Sequence, residues 1–212
     1  HLALARRLGS DQPVFGTVLP DLSALPGQFT VQDIAAHLVE ALCESPVEGP
    51  YALAGWSLAG IVAYEMARQL RARGKEVTQV ILFDTNNPDY LRGFEGWKNG
   101  PIRLYFWAEK VLYYLWKSRG MPLGRAWKYI RDRSRKFSLK SLSRQRIEAT
   151  DKGLSKNPLY SWQVQYLAAA EYRPQPCDWP LVLVCSKALQ TGWFRDPQLG
   201  WGQVARGGLR VC

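Results

Sequence analysis

The sequence predicts an α/β protein: a mostly parallel sheet with a helical lid inserted into it. Three observations carry that expectation. Strand-like runs alternate with amphipathic helical segments from His1 to Tyr90; the strand-like runs then vanish over residues 90–166; and they return at Trp179–Ser186. Strands separated by helices pair in parallel, because a helical crossover returns the chain to the same end of the sheet.

Taken in order, Leu2, Leu4, Ala5 and Leu8 share one helical face, and Gly9 supplies the stop. Pro13–Leu19 reads as a short strand closed by Pro20, followed by a loop over Asp21–Gly27. Thr30-Val-Gln-Asp33 has capping-box spacing, and Ile34, Leu38, Val39 and Leu42 form one apolar stripe. Pro46–Pro50 interrupts before the apolar run Tyr51–Ala54. A helix then spans Ile61–Arg73, with Gly74 just past its last turn. Val77–Phe83 is expected to be a buried strand from its continuous apolar character, ending in Asp84-Thr-Asn-Asn. Over 90–166 aromatic residues recur among basic ones in several helical segments broken at Gly100-Pro101, Gly120-Met-Pro122 and Asn157-Pro158, which is expected to be the lid. Gly207–Cys212 reads as a last strand.

A chain of 212 residues can bury the core of one α/β domain. No apolar run approaches the ~20 residues that span a bilayer, and the N-terminus lacks a signal-peptide pattern. Cys43, Cys177, Cys185 and Cys212 show neither C-x-x-C spacing nor histidine partners, so they are expected to be reduced, in a cytoplasmic protein. The net charge of +10 is concentrated between Arg92 and Lys152, where 16 Lys and Arg face 5 Asp and Glu. Such a stretch suits nucleic acid, an anionic membrane surface or an acidic protein, and equally a solvated helical face.

Gly55-Trp56-Ser57-Leu58-Ala59-Gly60 lies between the apolar run Tyr51–Ala54 and the helix. A strand, a cramped turn bearing serine and a helix form the nucleophile elbow of α/β-hydrolases, so Ser57 is the candidate nucleophile. Small residues are needed around it, which Gly55, Ala59 and Gly60 meet. The helix start makes the Leu58 N–H a candidate oxyanion donor. Working side chains of parallel sheets gather at the carboxyl ends of strands, where Asp84 stands as the candidate acid. The same Asp-Thr-Asn-Asn also suits a turn or a helix cap. The histidines are His1 and His37, both upstream of Ser57, whereas the order in this fold is Ser, Asp, His. The expectation is therefore that the chain is a fragment ending short of its histidine.

Together these segments resemble the type I thioesterase domains of non-ribosomal peptide and polyketide synthases. The resemblance is carried by Leu4–Gly16, Thr30–His37, Gly49-Pro-Tyr-Ala-Leu-Ala-Gly-Trp-Ser-Leu-Ala-Gly60, Ala63-Tyr-Glu-Met-Ala67 and Val80–Asp84. It implies that residues 1–212 are a partial α/β-hydrolase domain with 90–166 as lid, lacking the N-terminal strand with its oxyanion loop and the C-terminal Gly-x-His. It further implies release of an acyl or peptidyl chain from the phosphopantetheine thioester of a carrier-protein domain, with Ser57 as nucleophile and Asp84 orienting the base. No cofactor or metal is implied for the domain itself, and the fragment alone is expected to be inactive. Two alternatives stand beside this reading: a soluble esterase or lipase of the same fold, and a module that binds single-stranded nucleic acid through interleaved basic and aromatic residues.

Overall fold

The structure, a computed structural model, describes residues 2–9, 11–17, 29–92, 122, 124–125, 127, 165, 167–186 and 196–212. Four strands, β1 (Tyr51–Trp56), β2 (Val77–Phe83), β3 (Leu181–Val184) and β4 (Leu209–Val211), make one sheet in that order. Every neighbouring pair is parallel, as the alternation of elements requires. Helix α1 spans Leu2–Leu8, α2 Val31–Glu44, α3 Leu58–Ala72 and α4 Pro88–Arg92. The lid expected over 90–166 lies largely outside the described residues.

Local chemistry sets the helix ends. Thr30 caps α2 by accepting the Asp33 N–H at 3.2 Å, and the Asp33 carboxylate accepts the Thr30 N–H at 2.7 Å. This reciprocal box satisfies two donors that the helix cannot use itself. At the other end of α3, Gly74 takes φ +74° while its N–H bonds to Arg71 O and the Lys75 N–H to Leu70 O, both at 3.0 Å. That paired bonding is a Schellman stop, and only glycine adopts its left-handed residue without strain.

Burial follows the pleat rather than the uniform apolar character of β2. Val80 and Leu82 are fully buried, Ile81 and Phe83 half-buried, and Thr78 exposed. Parallel register sets Val80 beside Leu181 and Leu82 beside Leu183, so these four line one face of the sheet. They share a single core with Ile61, Tyr64 and Leu70 of α3 and with Ile34, Leu38 and Val39 of α2. The strand expected over 13–19 is corrected: residues 13–17 join no ladder, and 18–19 lie outside the described residues. Val14 and Phe15 of this run stand exposed.

Two long-range contacts lock the segments after residue 165 to α3. The Tyr64 ring lies 4.9 Å from that of Trp201, which is fully buried in a short 3-10 turn, Trp201–Gln203. The Glu65 carboxylate, also buried, accepts two bonds from Arg68 at 2.9 Å, one from Gln69 at 3.0 Å and one from the Tyr172 hydroxyl at 2.7 Å. Burial alone would raise the Glu65 carboxyl, but the bonds from Arg68, Gln69 and Tyr172 outweigh it and hold the group below its ordinary range. Burial first, and then the Glu65 charge, push the Tyr172 phenol up, so it stays a donor.

Candidate active site

The elbow forms because two neighbours demand incompatible backbones of one residue. Trp56 pairs with Phe83, and the Ser57 N–H donates to Phe83 O at 2.8 Å, extending the ladder by one residue. Helix α3 begins immediately afterwards at Leu58. Ser57 absorbs the change at φ +54°, ψ −119°, a conformation that costs about 1–3 kcal/mol for a non-glycine residue. Its side chain makes no capping bond and is exposed.

Close approach explains the glycines. A Cβ on Gly55 would lie 2.2 Å from Ala59 O, and one on Gly60 would lie 2.1 Å from Thr85 Oγ1. Ala59 is exposed, so its methyl group is accommodated. The spatial limits therefore fall at Gly55 and Gly60, two of the three small positions that the sequence offered around Ser57. Leu58 is the first residue of α3, so its N–H has no acceptor within the helix.

Because Ser57 follows the Trp56–Phe83 pair, Ser57 and Asp84 occupy adjacent positions at the carboxyl ends of β1 and β2. Asp84, half-buried, leaves β2 at φ +45°, and its N–H donates to Val184 O at 2.9 Å. The carboxylate is held from both sides. Its Oδ1 accepts the Ser186 N–H at 2.6 Å, and its Oδ2 accepts the Trp56 indole N–H at 3.4 Å. Thr85 Oγ1 sits 3.0 Å from Phe83 O and 3.2 Å from Ser57 O, tying the two strand ends together.

The turn-and-cap role that the sequence also allowed for Asp84 belongs to another residue. Asn87 Oδ1 accepts the Asp89 N–H at 2.9 Å at the start of α4, and Asn87 Nδ2 donates to Gly200 O at 2.9 Å. Cys185 lies beside the acid, and burial, reinforced by the Asp84 charge, pushes its thiol up. Among the described residues the groups bonded to Asp84 are thus an indole and a backbone amide. His37 is exposed on α2, and His1 lies outside the described residues. Sequence reasoning missed Trp56 and Ser186 as partners of Asp84. The available signal was their position, each at the carboxyl end of a strand flanking β2.

Among the described residues no group of three or more His, Cys, Asp and Glu could hold a metal, and no helix is long and apolar enough to cross a membrane. All four cysteines are free.

A parallel sheet, a strained serine between strand and helix, and a carboxylate ending the next strand define an α/β-hydrolase-type core. Comparisons narrow the class: residues 3–94 match the family model "Thioesterase domain". The chain is 38% identical over 86 residues to a non-reducing polyketide synthase of Pseudevernia furfuracea, covering 40% of this chain and 4% of the synthase. It is 36% identical over 105 residues to the bikaverin polyketide synthase of Gibberella fujikuroi, covering 49% of this chain and 5% of that protein. The chain therefore spans a small fraction of the length of the curated relatives it matches. Among solved structures, the RedJ thioesterase of the prodiginine pathway in Streptomyces coelicolor superposes with TM-score 0.57 at 20% identity, over 98% of this chain and 68% of that one. The chain has the α/β fold of that thioesterase, and its residues 3–94 are similar in sequence to a thioesterase domain.

Proposed function

We propose that this domain is a thioesterase that releases an acyl or peptidyl chain from the phosphopantetheine thioester of a carrier-protein domain. The observation that carries the reading is Ser57: a strained, exposed serine held by its own N–H in register beside Asp84. Ser57 Oγ attacks the thioester carbonyl, and the Leu58 N–H stabilises the oxyanion that forms. The pantetheine thiolate departs, and water or an internal nucleophile resolves the acyl-serine. Asp84 is the orienting acid for the base that takes the Ser57 proton. The described residues supply nucleophile, acid and one oxyanion donor; His37, exposed on α2, is not among the groups that meet Asp84. The multidomain synthases among the relatives support a carrier domain as partner, and the reading goes with a cytoplasmic setting and with no cofactor bound by the domain itself.

The test is turnover of an acyl-pantetheine thioester by the full-length gene product, with phosphonylation of Ser57 by a fluorophosphonate, fluoride leaving, read by mass spectrometry. Ser57→Ala is expected to abolish labelling and turnover, and Asp84→Asn to lower turnover by at least ~10²-fold. Labelling of Ser57 with turnover of simple esters alone would replace the thioesterase by an esterase. The absence of both labelling and turnover would overturn acyl transfer.

A further inference from the structure

We infer that Trp56 is a positioning residue for the reaction, fixing the Asp84 carboxylate through its indole N–H; this rests on the reading of Asp84 as the acid. Trp56 ends β1 directly before Ser57, and its side chain is 62% exposed. A large ring so little covered adds little to the core. Its one polar atom is aimed at the acid, Nε1 lying 3.4 Å from Asp84 Oδ2.

The geometry of that carboxylate makes the contact consequential. Ser186 N–H holds Oδ1 from the β3 side, and the indole holds Oδ2 from the β1 side. One donor leaves a carboxylate free to rotate about its Cβ–Cγ bond, whereas two donors on different oxygens define its plane. A carboxylate oxygen accepts along two lone-pair directions, so Oδ2 keeps one for the N–H of a base while the indole occupies the other. Asp84 also leaves its strand at a positive φ, so its backbone alone does not aim the side chain as a regular strand residue would be aimed. At 3.4 Å and largely in solvent the bond adds little stability, so what it contributes is orientation.

Two measurements test this on the full-length protein. Trp56→Phe keeps an aromatic ring and removes the donor. It is expected to lower kcat by roughly 3- to 10-fold with KM within about 2-fold, because an interaction acting through the acid is expressed in the transition state. In an Asp84→Asn background the same change is expected to cost nothing further, the signature of two residues acting as a unit. Independently of activity, the Trp56 indole N–H resonance, assigned in the parent protein by through-bond connection to its own backbone, is expected to move in Asp84→Asn. That readout stands even if Trp56→Phe misfolds. An unmoved resonance, or an equal loss of kcat in both backgrounds, overturns the positioning role and leaves acyl transfer intact. Full turnover by Ser57→Ala overturns acyl transfer itself, and the inference with it.

Discussion

The indole N–H of Trp201 donates to the carbonyl of Thr85 at 2.7 Å, across 116 residues of sequence. Thr85 follows the candidate acid and touches the elbow through Ser57 O. A residue near the end of the chain thereby braces the loop that carries Asp84. Trp201→Phe removes the only donor reaching Thr85 O from that ring and leaves a small gap beside Tyr64. A loss of about 2–3 kcal/mol in unfolding free energy is expected, measured by urea denaturation. An unchanged midpoint and slope would show that the brace carries no weight.

Gly60 and Thr85 form a tight pair. Gly60→Ala forces a methyl group against Thr85 Oγ1, at a cost of about 1–3 kcal/mol. Thr85→Ala in the same chain removes the hydroxyl and its methyl, and is expected to recover part of that loss. The double variant should therefore melt above the sum of the two single effects. Strict additivity would mean that the clash is relieved elsewhere.

Glu65 is expected to give the fold a carboxylate-dependent acid limb. Its folded-state affinity for protons is lowered, since the bonds from Arg68, Gln69 and Tyr172 favour the ionised form over the burial that opposes it. The stabilisation is thus fully present above the unfolded carboxyl value of about 4.3 and is lost as pH falls through the lower folded value. Glu65→Gln should be less stable than the parent by about 2 kcal/mol at pH 7, with the difference shrinking toward pH 3. Thermal melts across that range check the sign: a gap that widens in acid would refute it.

Thiol reactivity should divide by depth. Cys43 and Cys212 are exposed, whereas Cys177 is buried and its thiol is pushed up by that burial. Native-state alkylation followed by mass spectrometry should modify Cys43 and Cys212 first. Cys177 should react at a rate that tracks unfolding. Rapid modification of Cys177 in the folded protein would contradict the packing around Tyr64 and Trp179.

Much of this architecture was legible because its signals are local. Thr30 and Asp33 are three residues apart, Gly74 sits next to the turn it ends, and Ser57 lies between the runs that become β1 and α3. Each depends on bonds made within one turn or one strand end. Pro13–Leu19 misled for the complementary reason: an apolar run resembles a strand whether or not a partner edge is there to pair with it.

By itself, then, the sequence determined the α/β class, the start of α2 and the stop of α3, the elbow at Ser57 and the placing of Asp84 at the end of β2, although it set the start of α3 at Ile61 rather than Leu58. Only the tertiary structure decided that Asn87 rather than Asp84 caps the following helix, that Gly60 rather than position 59 is the confined one, and that Trp56 and Ser186 grip the acid. Those outcomes turn on strand register and crossover, which bring β1, β2 and β3 edge to edge. Periodicity reports which face of a segment turns inward, and it carries no record of which distant residue will meet it there.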